Sequence, residues 1–127
     1  MTHQTRSDLE LKFVIQHKGA INIINSSEIS YIERYNRKTV IHLINQQKIE
    51  CNKSLKSIYE TIKELDFYRS HQSYIVNLKQ VERIQIDTIT REYLIKLKST
   101  DALISLSKHN YQELRKKIND LFNLFHF

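Results

Sequence analysis

The stretch Phe67–Val81, "FYRSHQSYIVNLKQV", decides how the chain is read. Tyr74, Ile75 and Val76 have the aromatic and β-branched character of a strand. Ahead of them, Arg69, His71, Gln72 and Ser73 crowd hydrogen-bonding side chains into what reads as a short connection. Connections are where binding groups concentrate. A core strand explains Tyr-Ile-Val but not the polar cluster, so the flanking sequence has to supply its purpose.

On the N-terminal side, "SLKSIYETIKEL" repeats Leu55, Ile58, Tyr59, Ile62 and Leu65 at helical spacing. Ser54 can cap that helix by accepting from a first-turn amide. Its single apolar stripe predicts that it lies on a sheet. Further back the chain is mostly β. "LELKFVIQHKGAINIINSSEI" is a hairpin around His17-Lys18-Gly19, with Leu11, Phe13 and Ile15 alternating against Lys12, Val14 and Gln16. "ISYIERY" and "TVIHLI" follow as strands joined by Asn36-Arg37-Lys38, and Asn45-Gln46-Gln47 turns the chain into "KIECN". On the C-terminal side, "VERIQID" and "REYLIKLK" alternate around Thr88-Ile89-Thr90, and "ALISLS" is one more strand. Ser107 begins a last helical pattern with Tyr111, Leu114, Ile118, Leu121 and Phe125 on one face. The expectation is a mainly β, α+β domain of short antiparallel sheets with a mid-chain helix and a C-terminal helix. Residues 1–9 read as a flexible arm, residues 10–118 as the domain, and residues 119–127 as an apolar extension of the last helix.

The whole chain has 127 residues, enough for one domain. Its formal charge of +6 suits a polyanionic partner without requiring one. A single cysteine, Cys51, rules out an intramolecular disulfide and reads as a packed thiol. No apolar run is long enough to span a bilayer and the N-terminus has no signal-peptide core, so the cytoplasm is expected. With no proline and only Gly19, a glycine-rich phosphate loop is excluded. The histidines form no helical metal pair, and no cysteine stands at ligand spacing, so no metal site is expected. Ser73 and His71 lack a nucleophile elbow, and Glu60, Lys63 and Glu64 read as a solvated helix face. Catalytic residues, cofactors and a small-molecule substrate are therefore not expected.

A binding surface is better supported. "RYNRK" (Arg34–Lys38), "RSHQS" (Arg69–Ser73) and "SKHN" (Ser107–Asn110) all fall between regular elements. Arginine and lysine grip phosphate or pair with guanine edges, and asparagine and glutamine pair with adenine.

The opening stretch also resembles a known family. Arg69-Ser-His71-Gln-Ser73-Tyr74-Ile-Val76-Asn77-Leu78 is similar to the central motif of the LytTR DNA-binding domain. "SSEISYIERYNRKTVIHL", "SLKSIYETI" and "ISLSKHNYQEL" match its other parts in order, so the resemblance covers roughly residues 10–118. It implies short antiparallel sheets and recognition of double-stranded DNA by loops. It also implies direct-repeat sites, bending of the DNA, and a homodimer on it, as in the DNA-binding halves of bacterial response regulators.

Carried over residue by residue, the resemblance places Gln72 at the position between the motif's His and Ser, where an amide suits an adenine edge. Among Asn36, Arg37 and Lys38, it favours Arg37 as the residue pointing inward. Lys108 or His109 takes the place of the family's basic pair before the last helix. Arg69, His71 and Ser73 belong to the motif, and Arg69 and His71 either brace the loop or, for Arg69, touch phosphate. No receiver with a phospho-accepting aspartate fits before residue 10, so either the sequence is a fragment or it is a stand-alone regulator governed by a protein partner, and the second is expected. The apolar tail offers Leu121, Phe122 and Phe125 as a docking surface for such a partner. The rival reading is a protein-interaction module that sequesters a related regulator or membrane partner.

Overall fold

A computed structural model describes residues 11–127, and the arm read over residues 1–9 lies outside the described residues. Two strands, β1 (Lys12–His17) and β2 (Ala20–Asn25), pair antiparallel. Lys18 and Gly19 between them both take positive φ, 48° and 79°. A two-residue turn of that hand matches the right-handed twist of its strands. Ile15 and Ile24 are buried on one face, and Val14, Ile21 and Ile23 are left exposed on the other.

The same device joins β3 (Ile29–Tyr35) to β4 (Lys38–Leu43), where Asn36 and Arg37 sit at φ 50° and 63°. Tyr35 pairs with Lys38, so Lys38 belongs to the strand and the turn is Asn36–Arg37 alone. Asparagine tolerates the left-handed conformation and arginine does so at a cost.

Five strands form the central sheet in the order β5 (Lys48–Cys51), β4, β3, β7 (Tyr74–Asn77), β6 (Phe67–His71). Its central strands β3 and β7 carry buried residues on both faces. Ile32 and Ile75 face a core closed by helix α1 (Leu55–Ile62) and the β1–β2 hairpin. Tyr31 and Val76 face a second core, closed by α2 (Tyr111–Leu121) and a three-stranded sheet. That sheet runs β10 (Leu103–Leu106), β9 (Tyr93–Leu97), β8 (Val81–Ile86). A register shift between Ile29 and Tyr31 lets Ile29 and Ile32 share one core although they are three apart. The mainly β, α+β class with short antiparallel sheets and two helices holds.

Helix α1 begins as its sequence predicts, whereas α2 starts only at Tyr111, after a 3-10 turn over Lys108–Asn110 that Ser107 opens. The Ser54 hydroxyl accepts the Ser57 amide at 3.1 Å. α1 stops at Ile62, so Leu65 packs from beyond its end.

Two expectations need correction. The Arg69–Ser73 stretch is not wholly a connection: β6 carries Arg69 and His71, and only Gln72 and Ser73 turn the chain. Phe67, Tyr68 and Ser70 are all buried, which anchors that strand and hides its alternation. The last helix does not reach Phe125. It ends at Leu121, and Phe122 is extended at φ −120°, ψ 153°. Leu114, Ile118 and Leu121 pack on the second core, but Phe122 and Phe125 are exposed and find no core to hold a further turn.

Candidate nucleic-acid interface

The motif residues divide by what they touch. The His71 Nδ1 accepts the Ser73 amide hydrogen at 3.1 Å, and Arg69 Nη2 donates to the Gln72 carbonyl at 2.8 Å. Both side chains thus brace the β6–β7 turn. Asn77 is buried; its amide donates to the Ile29 carbonyl at 2.8 Å and its oxygen accepts the Lys79 amide at 3.0 Å. It ties β7 to the irregular start of β3. Gln72, at the turn itself, is exposed and its side chain has no partner among the described residues.

Pairing brings the separate segments to one end of the molecule. The Arg34 amide donates to the Ser73 carbonyl at 2.9 Å, which sets the β3–β4 turn beside the β6–β7 turn. Two strand spacings, about 10 Å, separate their centres. The Lys108–Asn110 turn is fastened to β6 on the other side. There the Ser70 carbonyl accepts the Ser107 amide at 2.8 Å and the Asn110 side-chain amide at 3.2 Å. An open cleft of about 430 Å³ results, lined by Arg69, His71, Gln72, Ser107, His109 and Asn110. Asn36, Arg37 and Lys38 are exposed at the neighbouring tip, and Lys108 and His109 at the far one.

The same end gathers two cations that the sequence did not single out. Thr39 pairs with Cys51, and its hydroxyl donates to the Lys53 carbonyl at 2.6 Å, which puts Lys53 beside the β3–β4 turn. Arg91 shares a second cleft, of about 370 Å³, with His71, Lys108 and His109. Lys53 was hidden between "KIECN" and the capping Ser54, and Arg91 as the first letter of a strand that in fact begins at Tyr93.

Some lysines away from this end meet acids, as in Lys63–Glu60 at 3.0 Å and Lys79–Asp66 at 3.3 Å, while Lys48, Lys56, Lys98 and Lys116 meet none among the described residues. Among the described residues, Arg37, Lys53, Arg91, Lys108 and His109 have neither a side-chain hydrogen bond nor an ion pair. Lys38 is the exception, 3.5 Å from Glu50. Although its desolvation works the other way, Lys38 holds the Glu50 carboxyl below the usual range. Unpaired cations on one rim set up a positive field that attracts polyanions.

His42 is accounted for structurally: it lies 2.7 Å from Glu33 and stacks on Tyr31 at 4.1 Å between ring centres. Burial, with help from Glu33, pushes the Tyr31 hydroxyl up to about 12. Among the described residues, no cluster of three or more His, Cys, Asp or Glu is placed to hold a metal, and no helix is long and apolar enough to cross a membrane.

Fold and rim together define a β-rich domain with polar and basic loops gathered at one end. The chain belongs to the LytTr DNA-binding domain family, whose model matches residues 19–119. It is a family of DNA-binding domains and not of enzymes. The chain is 30% identical over 83 residues to the sensory transduction protein LytT of Oceanobacillus iheyensis, covering 65% of this chain and 34% of that protein. It is 26% identical over 85 residues to the transcriptional regulatory protein NatR of Bacillus subtilis, covering 67% of this chain and 36% of that one. The alignments thus span about a third of each relative. Among solved structures, the LytTr DNA-binding domain of a putative methyl-accepting/DNA response regulator from Bacillus cereus has the same fold. The TM-score is 0.69 at 18% identity, over 84% of this chain and 95% of that one.

Proposed function

We propose that this chain is a sequence-specific regulator of transcription that reads double-stranded DNA with loops in successive major grooves of a direct repeat. The observation that carries this is the convergence of the three polar segments on one rim whose cations are mostly unpaired. In this reading Gln72 meets a base edge, and Arg37 and the Lys108–His109 turn enter the flanking grooves. Asn36, Lys38 and Ser73 line the approach. Arg69 and His71 act chiefly by holding Gln72 in place, since both are engaged within the turn.

A direct repeat calls for two copies, so the chain works as a homodimer on DNA, in the cytoplasm. A regulatory protein partner would dock on the tail, where Phe122 and Phe125 are exposed beyond Leu121. Sequestration of a related regulator without DNA binding has no comparable support.

Selection of duplexes from a random library, at two salt concentrations, tests the reading. Enrichment of a direct repeat, lost in Gln72→Ala or Arg37→Ala, is the expected result. Binding that fades with salt and enriches no sequence would reduce the function to non-specific electrostatics.

A further inference from the structure

The tip joining β8 to β9 lies outside the three segments considered above, yet it is a firmly built loop. The Asp87 carboxylate accepts the Ile89 amide at 2.8 Å and the Thr90 amide at 3.0 Å. Its backbone closes the loop twice, donating to the Glu92 carbonyl at 2.8 Å and accepting the Arg91 amide at 2.7 Å. Arg91 sits at φ 66°, a left-handed backbone that costs a residue with a Cβ about 1 kcal/mol.

A tip held this way is exposed from Thr88 to Glu92. Ile89 is 90% exposed, and Arg91 has no partner among the described residues. The strand register places the tip at the recognition end: Ile86 pairs with Tyr93, and Tyr93 with Leu106, the residue before Ser107. Arg91 therefore lines one cleft with His71, Lys108 and His109, where Glu92 is the only acid. A free guanidinium beside two more basic side chains suits the oxygens of a phosphate.

We infer that Arg91 is a further contact to double-stranded DNA, gripping a backbone phosphate beside the groove entered by the Lys108–His109 turn. The inference rests on the DNA-reading function proposed above. It adds a fourth element to the surface and gives it a positioning task, because phosphate contacts fix register without reading sequence.

The test uses the duplex selected by the wild-type protein. Binding is measured across a salt series for the wild type, Arg91→Gln, Arg91→Lys and Lys108→Gln. Arg91→Gln is expected to bind about five- to tenfold more weakly on preferred and scrambled duplexes alike, with the salt slope reduced by about 0.9. Arg91→Lys should restore the slope. An Arg91→Gln protein with wild-type affinity and slope, in a series where Lys108→Gln flattens the slope, overturns the Arg91 contact and leaves the DNA-binding reading standing. Weaker binding with an unchanged slope overturns it too, since the loss would not be one of charge. A wild-type protein that binds no duplex at low salt overturns the underlying reading and this inference with it.

Discussion

The backbone carbonyl of Ser70, in the middle of β6, accepts the amide hydrogen of Ser107 at 2.8 Å. That bond, with the Asn110 side chain on the same oxygen at 3.2 Å, fixes the last basic turn against the strand that bears the motif. Asn110→Ala removes one of the two ties. The expected stability loss is about 1 kcal/mol, lowering the melting temperature by about 4 °C. Duplex affinity should fall as well, because Lys108 and His109 lose their fixed position. A melt and a binding isotherm on the same preparation check both; weaker melting with unchanged affinity would mean that the turn needs no bracing to bind.

Arg37 stands at φ 63°, where a glycine would be at ease. Arg37→Gly should therefore raise stability by about 1 kcal/mol through relief of the left-handed strain. The same change removes an exposed cation from the rim, so duplex affinity should drop. Opposite movements in denaturant midpoint and DNA affinity are the expected signature of a residue kept for contact at the expense of stability. A variant that is neither more stable nor weaker in binding would contradict this.

Gln72 has no charge to lose. Gln72→Ala should cost about 1–3 kcal/mol on the preferred duplex, much less on scrambled DNA, and leave the salt slope unchanged. A uniform loss on both duplexes would show that Gln72 supports the turn and reads nothing.

Asp87 supplies a pH-dependent prediction. The Thr90 amide, and after it the Ile89 amide, lower its carboxyl below the ordinary 3.8. A carboxylate depressed in the folded state contributes stability that is present above its unfolded value and is lost as pH falls through the folded one. The β8–β9 tip should thus keep its geometry at neutral pH and loosen only below about pH 4. Amide exchange at Ile89 and Thr90, followed by NMR down the acid range, should accelerate there, and Asp87→Asn should show faster exchange already at pH 7. Equal protection in wild type and variant would mean that the carboxylate is not what holds the tip.

Much of this was legible in the sequence because the signals were local. The hairpin around Lys18-Gly19, the Ser54 cap and the alternation of β9 each rest on neighbours in the chain. β6 was obscured for a non-local reason: Phe67 packs in one core and Tyr68 in the other, so no polar face marked it as a strand. The end of α2 was misjudged because the apolar letters continue through Phe125 while the surface they would cover does not. The same holds for the site. Arg37, Gln72 and Lys108 stood out by residue type and motif, whereas Lys53 and Arg91 join the rim only through strand register, which the sequence does not display.

Tyr31 and Ile32 are adjacent in β3 and point into different cores, as Val76 and Ile75 do in β7. Neither hydrophobic half can open without stripping cover from the same two strands. The protein should consequently melt as one unit, with the slowest amide exchange of the chain in β3 and β7 and no partly folded form at equilibrium. The turns that carry Arg37 and Gln72 spring directly from those two strands. Their geometry is therefore underwritten by the full free energy of folding, and surface mutations elsewhere that cost a little stability should leave the shape of the recognition rim as it is.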